Sequence, residues 1–163
     1  MHDFASYIGI IGGGISGLTL GCTLRKNGIK SIIFEKENDI HDEGAGISIS
    51  PNGLIAFEHL DLKNELLNNS YKSPKAILKY NKTPLLEMES PVYTMNRKNL
   101  INLLYERYTN LGGEILFDHK LKDIKLKNKE LIFTNSKNFR VDHIVASDGI
   151  KSLIREKIFS QGS

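Results

Sequence analysis

The sequence predicts an α/β fold, a doubly wound parallel sheet into which an antiparallel three-stranded meander is inserted. Residues 7–36 contain an apolar run, a cluster of glycines, a leucine-rich segment and a second apolar run. This order is typical of a strand, a helix and a parallel strand joined by a right-handed crossover. Residues 119–145 contain three short segments separated by turn residues near Asn128 and Asn135, as a meander does. A break in their period of two predicts a bulge near Asp123.

The N-terminal elements are predicted from apolar runs and from helix start and stop residues. "SYIGIIG" predicts a buried strand, and residues 15–27 predict a helix with a basic last turn that ends at Gly28. "IKSIIFEK" predicts a second strand, which ends at Glu35. Ser50 and Pro51 are typical of an N-cap and a first helical position, so "SPNGLIAFEHL" predicts the next helix.

The rest of the chain continues the alternation of strands and helices. "KAILKY" and "TPLLEME" predict a hairpin that turns at Asn81 and Lys82. After Asn96, leucines at helical spacing predict a helix that ends before Gly112. "EILF" predicts another short buried strand, "HIVASDG" predicts a final apolar strand, and "KSLIREKIF" predicts the start of a last helix.

Composition indicates an ordinary globular protein and excludes several function classes. The 163 residues are 40% apolar and 25% charged, enough for one domain with a real core. The net charge is only +3, and the most basic stretch, residues 119–129, lacks interleaved aromatic residues. We therefore expect that stretch to be a solvated strand face and predict no nucleic-acid partner. No apolar run approaches the ~18 residues of a membrane span, and no secretory signal is recognisable.

The cysteine and the histidines limit the chemistry further. Cys22 is the only cysteine, which excludes an internal disulfide and predicts a reducing, cytoplasmic location. Its place inside the predicted first helix favours a buried, inert thiol. The five histidines show no metal-ligand spacing, so we predict no metal site and interpret them as structural or solvated.

The glycines after the first strand carry the strongest functional signal. Gly12, Gly14 and Gly17 form G-x-G-x-x-G between a predicted strand and a predicted helix, as in a Rossmann-like dinucleotide site. A Cβ at Gly14 would block the close approach of a phosphate, while Gly17 and Gly21 would let the helix lie close to the sheet. Glu35 follows Gly14 by 21 positions, near the ~20 typical of a ribose-binding carboxylate. The alternative is a tight turn without a ligand.

Three further motifs follow the glycine motif in order. They are "GAGISISPNGLIAFEHLDL" at 44–62, "MNRKNLINLL" at 95–104 and "ASDGIKSLIRE" at 146–156. Together the four motifs resemble the FAD-dependent aromatic-ring monooxygenases of the para-hydroxybenzoate hydroxylase type. The salicylate hydroxylase-like, urate hydroxylase-like and tetracycline-degrading branches are the most similar. The resemblance extends from Tyr7 to about Ile158 and is specific for the superfamily, without selecting a substrate.

The resemblance implies roles for individual residues. Around the glycine loop, the residues that would line the FAD pyrophosphate are Gly12, Gly14, Ser16 and Gly17. Glu35 would bind the adenosine ribose. Further contacts would come from Lys36 on the adenosine side, Ser48 near the central part of FAD, Arg97, and the backbone of Leu121 at the adenine.

Asp148 and Gly149 match the family's Asp-Gly motif, which is associated with the FAD pyrophosphate and with NAD(P)H. Several residues also have simpler explanations. Arg97 would lie in the first turn of a helix, where the dipole disfavours a cation by ~0.3–1 kcal/mol and a nearby phosphate would reverse that sign. It could also be an ordinary surface arginine. Asp148 could cap the final helix, Ser48 could be a plain loop serine, and Lys36 a surface charge.

The chain also departs from the family. The family's catalytic unit continues after the Asp-Gly motif into a substrate-binding sheet, of which residues 71–93 would be a piece, and returns with a Gly-Asp motif that holds the flavin. This sequence has no Gly-Asp pair and ends in "SQGS". We therefore expect residues 1–163 to form an incomplete FAD-binding domain that holds the ADP half. A missing strand beside "HIVAS" would expose an edge, which predicts a homo-oligomer through residues 143–147.

The function implied by the resemblance is that of the N-terminal part of an NAD(P)H-dependent flavoprotein monooxygenase that hydroxylates an aromatic or related ring. No catalytic side chain can be named, because most of the substrate pocket would lie elsewhere. Two alternatives stay open. One is a truncated, non-catalytic flavin or nucleotide-binding module or an assembly subunit, and the other is a flavin-dependent reductase or an NAD-only Rossmann protein.

Overall fold

A computed structural model describes residues 2–40 and 46–159 of the chain. The chain divides into two compact units. The first unit comprises Met1–His41 and Leu104–Ser163, and the second comprises Asp42–Leu103.

Eleven strands and five helices occupy the described residues. In chain order they are β1 (His2–Ile11), α1 (Ile15–Lys26), β2 (Ser31–Phe34), β3 (Gly46–Ile49), α2 (Pro51–His59), α3 (Lys63–Asn68), β4 (Tyr71–Ser73), β5 (Ala76–Tyr80), β6 (Thr83–Met88), β7 (Val92–Asn96), α4 (Arg97–Asn110), β8 (Glu114–Leu116), β9 (Leu121–Lys125), β10 (Glu130–Phe133), β11 (Asn138–Ala146) and α5 (Leu153–Phe159). The predictions for residues 41, 44 and 45 and for "SQGS" lie outside the described residues. Within the described ranges, no helix is both long enough and apolar enough to cross a bilayer.

The first unit is built on a six-stranded sheet in the order β8-β2-β1-β11-β10-β9. The first four of these strands are parallel, and β10 is antiparallel to both of its neighbours. This sheet confirms the predicted α/β fold with an inserted meander. β11 belongs to both the meander and the parallel part of the sheet. Its residues 138–140 pair with β10, and its residues from 139 to 146 pair with β1.

The predicted bulge in the meander is confirmed. Ile132 of β10 pairs with Asp123 of β9, but the next residue, Phe133, pairs with Leu121. Lys122 is therefore the extra residue, and it re-phases the strand so that alternating side chains again face the core.

Aromatic residues from three strands form the core of the first unit. The Phe34 and Phe133 rings stack with centroids 4.9 Å apart, and Phe139 packs against both rings. All three are at most 3% exposed, and burial of such a side chain contributes about 1.5–3 kcal/mol. This core fixes the end of β2, directly before Glu35.

Two glycines let α1 lie close to its neighbours, as predicted. A Cβ on Gly17 would lie 2.0 Å from the Gly12 carbonyl oxygen, and a Cβ on Gly21 would lie 2.8 Å from the Tyr108 ring. The Tyr108 hydroxyl donates to the Ser31 carbonyl at 2.9 Å, which ties α4 to β2. The N-terminus of α1 is thereby held at the carboxyl end of β1.

The second unit contains the antiparallel sheet β3-β7-β4, the β5–β6 hairpin and the helices α2 and α3. Ser50 caps α2 as predicted, since its Oγ accepts from Gly53 N–H at 3.4 Å and Pro51 is the first helical residue. The hairpin turns at Asn81 and Lys82, as predicted, both with positive φ.

Candidate functional site

A pocket of about 510 Å³ opens at the carboxyl ends of the parallel strands in the first unit. This edge of a parallel sheet is where ligands of doubly wound folds bind. Its lining comes from the loops that follow β1, β2 and β11 and from the start of β9. The lining residues are Ile11, Gly12, Gly14, Phe34, Glu35, Lys36, His119, Lys120, Leu121, Ser147, Asp148, Gly149, Lys151 and Leu153.

Two glycines of the motif are required by the protein itself. Gly12 has φ +106°, a conformation that other residues rarely adopt, and a Cβ there would lie 2.3 Å from the Ser147 carbonyl oxygen. A Cβ on Gly17 would collide with Gly12, as described above. Gly12 and Gly17 therefore allow β1, β11 and α1 to converge at the pocket.

Gly14 differs from both, because nothing in the described residues requires a glycine there. Its φ of −74° is ordinary, and a Cβ would have no atom of the described residues within 4 Å. Gly14 is also the N-cap of α1, where no side-chain hydrogen bond caps the helix and no acidic residue occupies the first turn. Open space next to uncapped backbone N–H groups fits a phosphate group.

Glu35 follows β2 and lies beside the glycine loop. Its Oε2 accepts from Gly13 N–H at 2.5 Å, and its Oε1 accepts from Glu37 N–H at 3.0 Å. An ionised carboxylate has about four lone-pair sites, so each oxygen keeps acceptor capacity toward the pocket. A fixed acceptor pair of this kind fits two ribose hydroxyls.

The structure brings most of the other predicted residues to the same pocket. Lys36, Leu121 and Asp148 line it together with Gly149. Lys36 is exposed and pairs with Glu37 at 3.3 Å. The Asp148 Oδ2 accepts from Leu153 N–H at 2.9 Å, so this carboxylate also caps α5, as the simpler explanation proposed.

Four predicted site residues lie away from the pocket lining. One is Gly17, whose close packing is described above. Ser16 is an exposed residue in the first turn of α1. Ser48 and Arg97 belong to the second unit: the Ser48 and Thr94 hydroxyls are 3.2 Å apart, and Arg97 begins α4 as predicted. The cofactor roles of these four residues, like those of the residues that line the pocket, stay predictions.

Sequence reasoning missed several residues of the pocket. Lys120 and Lys151 line it, although the stretch that contains Lys120 was expected to be a solvated strand face. Together with Lys36 they place three positive charges around the carboxylates of Glu35 and Asp148. The sequence could have indicated both lysines, because Lys120 directly precedes Leu121 and Lys151 follows Gly149 closely, and both of those residues were predicted to lie near the cofactor.

His119 and Cys22 are both buried. His119 is 4% exposed, its Nδ1 donates to the Phe117 carbonyl at 2.5 Å, and its ring packs edge-on against Phe133. Burial raises the pKa of the Cys22 thiol to about 11, and the thiol donates to the Leu104 carbonyl at 3.4 Å. Among the residues that the structure describes, no three His, Cys, Asp or Glu side chains could together hold a metal ion.

The FAD binding domain family matches residues 6–161. The chain belongs to this family. The match agrees with the geometry of the pocket, since open space at Gly14 and a fixed acceptor pair at Glu35 fit the pyrophosphate and ribose of FAD. FAD is therefore the cofactor that this domain type binds.

Several proteins that resemble the chain are named FAD-dependent monooxygenases. FAD-dependent monooxygenase paxM of Penicillium paxilli is 27% identical over 92% of the chain and 34% of the relative. A variant of 2-methyl-3-hydroxypyridine-5-carboxylic acid oxygenase is 26% identical, with a TM-score of 0.84 over 94% of the chain and 42% of that structure. The p-nitrophenol 4-monooxygenase PnpA of Pseudomonas putida DLL-E4, 19% identical with a TM-score of 0.84, shares the fold and is matched over 97% and 44% of the two chains. The chain spans about a third of the length of the curated relatives it matches first.

Proposed function

We propose that this domain binds the ADP half of FAD in an NAD(P)H-dependent monooxygenase that hydroxylates an aromatic or related ring. The observation that carries the proposal is Gly14, a glycine that neither its backbone nor its neighbours require, at an uncapped helix N-terminus in the pocket. The names of the relatives support the reaction class.

In this proposal the chain's residues bind and orient the cofactor. The α1 N-terminus at Gly14 and Ser16 receives the pyrophosphate, with Gly12 and Gly17 allowing the close approach. Glu35 accepts from the ribose hydroxyls. Lys36 and the backbone of Leu121 contact the adenosine, and the lysines around the pocket offset the pyrophosphate charge. Ser48, Arg97 and Asp148 complete the cofactor contacts, and residues 71–93 contribute to a substrate-side sheet.

When bound, FAD supplies electron transfer from NAD(P)H and activation of oxygen, which no side chain provides. The described residues that we assign to the cofactor serve binding and orientation. We therefore name no catalytic side chain, and we place the protein in the cytoplasm on the evidence of its single cysteine.

We also propose that the chain associates with a second copy through residues 143–147. β10 pairs with β11 only as far as Arg140, so no described strand covers that edge of β11 beyond it, and such an edge favours pairing with another strand. Light scattering over a concentration series should give a dimer or larger species, and the exposed-edge variant His143→Lys should shift it toward monomer. A monomer at all concentrations would contradict this part of the proposal.

An equilibrium titration tests the main proposal. The purified chain should quench or shift the fluorescence of added FAD saturably, and ADP should displace FAD from the same site. Binding of FAD that ADP does not displace would contradict the assignment of the pocket to the ADP half. The control ligand is riboflavin, which has the flavin without the ADP half and should not compete.

A further inference from the structure

Gly13 is the middle glycine of three, and the G-x-G-x-x-G spacing does not require it. Its backbone lies outside the left-handed region, so its conformation does not demand a glycine either. A Cβ on Gly13 would lie 3.1 Å from the Glu35 Oε2 and 3.3 Å from the Glu35 Cβ. The side chain for which Gly13 leaves room is therefore that of Glu35.

The same pair is joined by a hydrogen bond. Gly13 N–H donates to the Glu35 Oε2 at 2.5 Å, while Glu37 N–H donates to the Oε1 at 3.0 Å. With one backbone donor on each oxygen, the carboxylate cannot rotate without losing a hydrogen bond. About one lone-pair direction stays free on each oxygen. Because Glu35 lines the pocket, both oxygens are available to accept a further hydrogen bond.

We propose that Gly13 is a positioning residue for ribose recognition: its N–H and its lack of a side chain hold the Glu35 carboxylate in the orientation that accepts two adjacent ribose hydroxyls. This inference rests on the proposed function, because it takes the ligand to be a nucleotide. It adds to that function that the preference for a nucleotide with a free 2′,3′-diol, which the proposal assigns to Glu35, depends on Gly13. Gly14, in contrast, should affect all phosphorylated ligands equally.

The test compares the affinities of ADP and 2′,3′-dideoxy-ADP, which differ only in the two hydroxyls. The unmodified chain should prefer ADP by about tenfold or more, the effect of charge-assisted hydrogen bonds. Gly13→Ala would push the carboxylate by a few tenths of an ångström. It should reduce the preference to about threefold or less, while the affinity for dideoxy-ADP changes by less than about twofold.

Gly14→Ser is the matched control on the neighbouring glycine. Its side chain would enter the open space at the proposed phosphate position. It should therefore weaken the binding of ADP and of dideoxy-ADP by the same factor and leave the ratio of the two affinities unchanged. A general disturbance of the loop would likewise move both affinities and not their ratio.

A double-mutant cycle identifies the partner through which Gly13 acts. In a Glu35→Ala background, Gly13→Ala should have no further effect on the preference for ADP, because the carboxylate that it displaces is absent. Additive effects of the two substitutions would contradict the proposed coupling.

Amide hydrogen exchange gives a readout without any ligand. Glu35→Ala removes the acceptor of both Gly13 N–H and Glu37 N–H, so both amides should exchange faster while the amides of the β1 strand keep their protection. This measurement also holds if Gly13→Ala fails to fold.

Three outcomes would overturn the inference. They are equal affinity of the unmodified chain for the two nucleotides, equal weakening of both by Gly13→Ala, and unchanged exchange of the Gly13 amide in Glu35→Ala. If ADP does not bind at all, the proposed function fails as well. If ADP binds and is displaced by FAD without discrimination between the two sugars, the inference and the assignment of Glu35 to the ribose fail, while the assignment of the pocket to the ADP half of FAD stands.

Discussion

The glycine loop and the β5–β6 hairpin differ in how far the described residues account for their sequences. In the loop, Gly12, Gly13 and Gly17 each make room for a particular backbone or side-chain atom, and only Gly14 faces open space. The hairpin instead leaves large apolar side chains exposed, with Leu78 at 58% and Leu85 at 63%. The described residues therefore account for the glycines of the loop except at the point where we place a ligand, whereas they leave most large apolar side chains of the hairpin exposed.

The two regions differ in how closely their residues are packed. Gly12, Gly13 and Gly17 are close-packed, so a substitution at any of them changes a defined contact. Exposed apolar residues in a hairpin stabilise little by themselves, and such surfaces are typical of interaction sites. Variants in the loop should therefore change nucleotide binding, and variants in the hairpin should not.

The largest expected effect is at Gly14. Gly14→Val should weaken ADP binding by about 100-fold or more, because it fills the space of the phosphate and forfeits charge-assisted hydrogen bonds of about 1.5–3 kcal/mol each. It should lower the free energy of unfolding by no more than about 1 kcal/mol, because valine is a poorer N-cap residue than glycine. Calorimetric titration and thermal unfolding measure the two effects.

Two control variants accompany the measurement on Gly14→Val. Gly14→Ser fills part of the same space but is a good N-cap residue, so it should weaken binding without loss of stability. Leu85→Gln in the hairpin should leave the affinity for ADP unchanged. If Gly14→Val binds ADP normally, the glycine loop serves only the chain turn and the contrast between the two regions disappears.

The next effect is at Glu35. Glu35→Ala should weaken ADP binding about tenfold or more, since it removes the acceptor of two ribose hydroxyls. The protein should remain folded, because the carboxylate lies at the surface of the pocket and outside the aromatic core. Unchanged affinity for ADP in a folded variant would mean that the ribose does not bind at this carboxylate.

A smaller difference is expected between ligands. In the proposed site the residues that line the pocket bind only the ADP half of FAD, so ADP and FAD should bind this chain with affinities within about threefold of each other. Competition titrations measure the ratio. A much tighter affinity for FAD would show that residues of this chain also hold the flavin half.

The smallest effect concerns the ion pair between Lys157 of α5 and Asp123 of β9. The hydrogen bond from Lys157 holds the pKa of Asp123 below its ordinary value of 3.8. A lowered carboxyl pKa contributes stability that is present above the unfolded value and lost as pH falls through the folded value. The Tm of Lys157→Met should therefore be slightly lower than that of the unmodified chain at pH 7, and the difference should vanish in acid.

Lys127→Met is the matched control for that measurement. It removes one positive charge from a neighbouring exposed position, so it corrects for net charge. A Tm difference between Lys157→Met and the unmodified chain that is the same at pH 7 and in acid would contradict a contribution from Asp123.

The sequence predicted those parts of the fold and site that depend on local pattern. The strand, glycine turn and helix around Gly12 follow from residues close in the chain, and so do the Ser50 cap and the hairpin turn at Asn81. The pairing of β11 with both β1 and β10 could not be predicted, because one continuous strand gives the same apolar pattern as two short ones.

The contact between Gly13 and Glu35 could not be predicted either. The two residues are 22 positions apart, and a third glycine in a glycine-rich turn carries no pattern of its own. Lys120 and Lys151 were missed for a similar reason, since an exposed lysine at a pocket has the same local sequence as one in solvent. Only the convergence of the strand ends brings these residues together.

The location of bound ADP tests the central claim most directly. Amide NMR spectra of the chain, recorded during a titration with ADP, should show the largest changes at residues 12–17 and 35–36 and at 148–151. Residues 76–88 of the hairpin should not change. If ADP binds and the largest changes fall outside the loops that follow β1, β2 and β11, the pocket is not the nucleotide site and the account is wrong.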